Sequence, residues 1–261
     1  MNLTAEQIQE NWKEFRNRIN QLTARADDLN VMYDEIEERA MMAPASSFDH
    51  YHNAFPGGYI DHVLRVDECA EKVYFLWTEM GADMEGYSLD ELRFVALHHD
   101  LGKLGFPGDG NEIYIPNESE WHRKNLGKIY TPNPKNPFSM VPDLTIWLLQ
   151  HYGIKMTWNE MLGLKLTDGL YDESTKPYFI SRTADSKLKT NLGYIMHQAD
   201  CMAARIEYEK WNKQNVDFKP TTTVNLSYGK KARTQKIGNI AKNSNDKVNA
   251  SKLFEDLFGD K

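Results

Sequence analysis

Cysteine is scarce: there are two in 261 residues, Cys69 and Cys201, far apart and in no Cys-x-x-Cys pairing. That scarcity excludes a disulfide framework and a cysteine zinc site, and it points to a reducing, cytoplasmic setting. Long apolar runs are missing too. No stretch approaches the roughly 18–20 residues that a membrane-spanning helix needs, so no membrane partner is expected. The first fifteen residues are polar and acidic, and no secretory signal is expected there. Three motifs are lacking: the Gly-x-x-x-x-Gly-Lys-[Ser/Thr] phosphate loop, the Gly-x-Ser-x-Gly elbow and the His-Glu-x-x-His zinc pair. There is no excess of positive charge, with 31 basic against 38 acidic side chains and a net charge of −7. A surface that coats nucleic acid is therefore not expected of the whole chain.

What is present describes a soluble globular protein, 41% hydrophobic and 26% charged, long enough to bury one large core. Residues 1 to about 42 read as a long helix. Trp12, Phe15, Ile19, Leu22, Ala26, Leu29, Tyr33, Ile36 and Ala40 fall at steps of three and four, which lines one helical face. As one helix, the stripe would span about 44 Å. A coiled-coil seam gives the same pattern, but Ala and Tyr make a poor zipper, so a helix packed on its own domain is favoured. Asp27 and Asp28 mark a candidate break.

Further helices are predicted over 59–81, from Ser88 with its capping partner Glu91, and over 143–152, 157–168 and 189–211. Phe55-Pro56-Gly57-Gly58 is read as a tight turn into a helix. Six of the ten prolines lie between 105 and 143, a long turn-rich excursion whose aromatic residues, Tyr114, Trp121, Tyr130 and Phe138, either close over a ligand or anchor the loop. The best strand candidate is Glu112-Ile113-Tyr114-Ile115. The fold class is mostly α, divided into an N-terminal helix (1–44), a central domain (45–211) and a polar tail (212–261). The charge divides as well. The tail holds ten basic and five acidic residues, a net of +5, which leaves −12 on residues 1–211.

All eight histidines fall between positions 50 and 197. The sharpest feature is Leu97-His98-His99-Asp100-Leu101-Gly102-Lys103. Neighbouring side chains point about 100° apart on a helix, but at a helix end the backbone can turn and let a histidine and the next aspartate meet one ion. Gly102 is read as supplying that freedom. Lys103 adds a cation suited to a phosphate oxygen.

This segment resembles the signature of the HD-domain metal-dependent phosphohydrolase superfamily. The run from Tyr51 to His62, containing His52, Gly57-Gly58 and Asp61-His62, is similar to the way an exoribonuclease-like branch introduces its first metal histidine. Gln150-His151-Tyr152-Gly153 resembles a later histidine motif, and the segment from Gln198 through Asp200 to Arg205 the closing aspartate motif. The resemblance covers roughly residues 45–211 and implies an HD-type helical bundle.

Residue by residue, it implies that His62, His99, Asp100 and Asp200 hold a first metal ion. His151 and His122 would serve a second, with Asp100 bridging, although His122 stands in Glu120-Trp121-His122-Arg123-Lys124 rather than in the usual Gly-His form. Asp100 and Lys103 take the catalytic roles, and Lys103, His52, His197 and Arg205 the substrate side. His98 reads as a core or supporting residue. The mixed imidazole and carboxylate set suits one or two ions of Mn, Fe, Co, Ni or Zn, which lower the pKa of a coordinated water for attack on phosphorus.

Three functions follow as expectations. The first is hydrolysis of a small nucleotide's phosphoester, preferred because a body at −12 repels a long polyanion. The second is a 3′–5′ exonuclease or phosphodiesterase on single-stranded or oligonucleotide substrates. The third is a non-catalytic, metal-bearing nucleotide-binding module recruited to a replication complex. Leu253, Phe254, Leu257 and Phe258 resemble a short peptide that docks on a sliding clamp, though a terminal helix folding back on its own domain has the same pattern. The basic stretch 229–236 is read as a solvated linker or a weak nucleic-acid contact.

Overall fold

Thr4 accepts a hydrogen bond from the Gln7 amide while the Gln7 side chain accepts from the Thr4 amide, a capping box that opens α1 (Ala5–Gln21). The computed structural model describes residues 2–22 and 24–215; the clamp peptide and the basic stretch lie outside them.

The single helix expected over 1–42 is three: α1, α2 (Ala26–Glu35) and α3 (Glu37–Met42). The chain leaves helical geometry at Leu22 and re-enters after Arg25, whose φ is −138°. The reason is tertiary. Arg25 turns aside to give Glu160 a two-pronged ion pair at 2.6 and 2.8 Å, and Glu160 is fully buried. Arg16 of α1 reaches Asn30 and Asp34 of α2, which holds the two helices side by side. The apolar stripe survives the break: Trp12, Phe15, Ile19, Leu22, Leu29, Tyr33, Ile36 and Ala40 are all buried. Each large side chain so buried contributes about 1.5–3 kcal/mol.

The remaining helices are α4 (Gly58–Glu79), α5 (Leu89–His98), α6 (Glu120–Leu126), α7 (Val141–His151), α8 (Trp158–Lys165), α9 (Lys176–Ile180) and α10 (Leu192–Gln214). Ser88 and Glu91 form the expected capping box of α5, and Thr157 and Glu160 form one for α8. Helix α4 is central and packs on α1, α3, α5 and α10. Gly57, at φ +82°, caps its start, and a Cβ on Gly58 would lie 2.0 Å from the Asn53 carbonyl oxygen. That pair is a tight turn, as the sequence predicts.

In the proline-rich excursion, β1 (Tyr114–Pro116) pairs antiparallel with β2 (Tyr130–Pro132). One hydrophobic core runs from Trp12 and Tyr33 through Tyr59, Leu97 and Leu148 to Ile195, so the N-terminal helices share the core of the central domain. The architecture is mostly helical. Among the described residues no helix is long and apolar enough to cross a membrane.

Candidate metal centre

Three helices of the core meet at the site. α4 brings His62, the end of α5 brings His99 and Asp100, and α10 brings Asp200. Helix α5 stops at His98, and a 3-10 turn, Leu101–Leu104, follows Asp100. This departure from helical geometry lets the adjacent His99 and Asp100 point to one place. Gly102 serves the turn differently from the expectation. A Cβ there would sit 2.3 Å from the Val141 carbonyl oxygen, so the glycine is needed for close approach to the start of α7. Its amide donates to Thr145 Oγ1 at 2.8 Å, and the Thr145 hydroxyl in turn donates to the His99 carbonyl at 3.4 Å.

Each ring is oriented from behind. The Nδ1 of His99 lies 2.8 Å from the Ala96 carbonyl, which can only accept, so Nδ1 carries the hydrogen. The Nδ1 of His62 faces a carboxylate oxygen of Glu207 at 3.0 Å and must donate as well. Both rings thus turn Nε2 inward, and both Nε2 atoms are buried without a hydrogen-bond partner. His62 Nε2 lies 3.2 Å from Asp200 Oδ1 and 3.6 Å from Asp100 Oδ2; the corresponding distances from His99 Nε2 are 3.9 and 3.4 Å. His62, His99 and Asp200 offer ligand atoms within 4.8 Å of one another, and so do His52, His62 and Asp100. Two imidazole nitrogens and two carboxylates converging in a buried place are a donor set for a divalent transition ion.

The charges agree with the packing. Burial alone would raise Asp100, but Lys103 and His99 hold it well below the usual carboxylate range. Lys103 Nζ is 2.5 Å from Asp100 Oδ2 and 3.3 Å from His52 Nε2, and Asp100 outweighs burial to raise the Lys103 pKa. Asp200 is drawn down to about 2 against its burial, by His62 and then His99. Burial would lower His62, yet Glu207 first and Asp200 next push it up to about 10. Burial pulls His52 well below the ordinary histidine range, reinforced by Lys103 and His62.

The other expected residues are placed as follows. His122, on α6, is exposed, with its ring against Trp121. His151, at the end of α7, is exposed and stacks on Trp147. Neither belongs to the converging groups; both rings lie on the exposed surface. His197 is half-buried, and its Nδ1 donates to the Thr167 carbonyl at 3.1 Å. There it holds a 3-10 turn, Gly169–Tyr171; a Cβ on Gly169 would lie 2.3 Å from the His197 ring. Arg205 is exposed. Five residues beyond Asp200 on the same helix, it is rotated about 140° from that aspartate. His98 is fully buried between Tyr33 and Phe94, and burial lowers it to about 3. Its Nε2 is also unpaired, but it belongs to neither ligand group.

Three supporting residues escape the sequence reading. Glu207 is 3% exposed and accepts from His62 through one oxygen and from Arg65 Nε, at 3.0 Å, through the other. Its signal was available: seven residues after Asp200 is two helical turns, the same face. Arg65, three residues after His62, is the second. The third is Asp168, half-buried beside the cluster, whose carboxyl is raised by burial and by the charges of Asp100 and Asp200. No spacing rule marks it.

No family model matches the chain, and comparison with curated proteins and with solved structures finds no significant match.

Proposed function

We propose that this protein is a metal-dependent phosphohydrolase of the HD superfamily that cleaves the phosphoester of a small nucleotide. One observation carries the reading: the unpaired, buried Nε2 atoms of His62 and His99 converge with Asp100 and Asp200, in the chain order His, His-Asp, Asp on which the resemblance rests. A divalent ion held by these four residues supplies a water of lowered pKa and a positive charge opposite the phosphoryl oxygens.

The chain's own residues do the rest. Asp100 and Asp200 stay ionised through neutral pH and offer anionic oxygens. Ala96 and Glu207 fix the ring orientations of His99 and His62. The Lys103 ammonium stands beside Asp100, where it can neutralise charge building on a phosphoryl oxygen. His52, adjacent to Lys103, stands on the same side and can meet the substrate there. The four converging residues serve one ion, since His122 and His151 stand outside the cluster. The acidic balance of residues 1–211 supports a small substrate over a long polyanion.

The test combines metal content with turnover. The purified chain, loaded with Mn2+, Co2+ or Ni2+, is expected to carry about one ion per chain and to release phosphate from some member of a nucleotide panel faster than it trims short oligonucleotides. Asp100→Ala is expected to lose bound metal by elemental analysis and activity together. Full activity in that variant refutes the HD reading, and faster turnover of oligonucleotides moves the assignment to an exonuclease.

A further inference from the structure

Beside the metal centre lies a cavity of about 480 Å³ that includes Lys103 in its wall. Its size falls within the range of about 300–1,000 Å³ that small-molecule sites occupy. Among its lining residues Lys103 is the one whose side chain also touches the converging cluster, through Asp100 and His52. An ester whose phosphoryl group meets the cluster at Lys103 has this cavity as the space for its alcohol portion.

The lining is built from two directions. In the antiparallel pair, Tyr114 faces Pro132 and Pro116 faces Tyr130, so alternation puts Tyr114, Pro116, Tyr130 and Pro132 on one face. Three of those four line the cavity, so the β1–β2 hairpin lays that face along it. The opposite side is α3 and the end of α2, held in place by Arg39. This guanidinium donates to the carbonyls of Phe106, at 2.6 Å, and Gly108, and its Nε is 4.0 Å from Glu112. Those contacts occupy Arg39.

Beside Arg39 and its partner Glu112 stand three further acidic residues, Glu35, Glu38 and Asp109. Glu35 accepts from the Tyr152 hydroxyl; no ion pair involves Glu38 or Asp109 among the described residues. The space behind Lys103 is thus apolar and aromatic on one side and negatively charged on the other. A second phosphate or a carboxylate would meet uncompensated repulsion there, and an amino group would meet acceptors.

We propose that this cavity takes the leaving group of a phosphate monoester whose alcohol is flat and carries an amino or ammonium group, and that it rejects alcohols bearing further negative charge. The inference rests on the phosphohydrolase reading and adds to it the charge of the leaving group. In the reaction water adds to phosphorus, the P–O bond to the alcohol breaks, and the alcohol leaves with a proton taken from that water.

The experiment compares three aryl monoesters, 4-nitrophenyl phosphate, 4-(aminomethyl)phenyl phosphate and 4-carboxyphenyl phosphate, on the Mn2+-loaded full chain. The kcat/KM for the aminomethyl ester is expected to exceed that for the carboxy ester by about tenfold, the size of a few partly screened charge contacts. In a chain carrying both Glu38→Lys and Asp109→Lys, two exposed positions, that ratio is expected to fall to about one or to invert. Comparing the ratio between the two chains removes the intrinsic reactivity of each ester. A ratio that is the same in both chains overturns the cavity assignment while the phosphohydrolase reading stands. Hydrolysis of none of the three, by metal-loaded protein that turns over a member of the nucleotide panel, overturns this inference and leaves that reading standing.

Discussion

Glu207 shows how a residue outside the converging cluster sets the orientation of one inside it. Its two oxygens are divided between His62 and Arg65, so the imidazole is held in one orientation by a carboxylate that is itself held. Glu207→Ala is expected to weaken Mn2+ affinity by about 10–100-fold, measured by titration calorimetry. Glu207→Gln keeps an oxygen that can accept from Nδ1 and is expected to recover most of the loss; equal affinity in the alanine variant contradicts the role. The same carboxylate makes a second prediction. His62, pushed up to about 10, carries a proton at pH 7 that an ion on Nε2 must displace. Binding at pH 7 is therefore expected to release about one proton per ion, read from calorimetry in buffers of different ionisation enthalpy. At this scale the sequence was legible where order and motif agree, at His62, His99, Asp100 and Asp200. It was silent on Asp168, which no helical period marks, and order alone did not show that His122 and His151 turn to Trp121 and Trp147.

The first forty-two residues show what periodicity reports and what it does not. Steps of three and four from Trp12 to Ala40 identified the buried face correctly, because burial is what selects apolar side chains. They did not show where the backbone bends, since a break that keeps the face inward leaves the pattern intact. The bend is held by a contact 135 residues away, Arg25 with Glu160; its local mark is the pair Asp27 and Asp28, the acidic first turn of α2. Arg25→Ala is expected to cost about 3–5 kcal/mol in a urea unfolding titration, because it leaves a fully buried carboxylate without its cation. An unchanged midpoint would mean that the pair is not what holds the bend. The capping boxes at Ser88 and Thr157 are the opposite case: local chemistry decides them, and the first was read directly from Ser88 and Glu91.

For the molecule as a whole, the site's ionisations bound the pH range of stability. Asp200 falls from an ordinary 3.8 to about 2, and Asp100 is depressed in the same direction. A depressed carboxylate stabilises the fold above its ordinary value and loses that contribution as pH falls through the folded value. His62 is raised from 6.5, so its contribution is complete below that value and disappears as pH rises through about 10. The melting temperature without added metal is expected to decline on the acid side between about pH 4 and 2 and on the alkaline side toward pH 10. Substituting Asp200 by Asn should flatten the acid limb, and an acid limb unchanged in that variant would assign it elsewhere. Arg39 ties distant parts of the molecule together in time as well as in space. One guanidinium holds the carbonyls of Phe106 and Gly108 from a helix more than sixty positions earlier in the chain. Opening of the loop over residues 104–112 breaks these bonds to α3. In a hydrogen-exchange experiment the Phe106 amide, bonded to the Asn111 carbonyl, is expected to exchange in step with α3, so that one opening event exposes both.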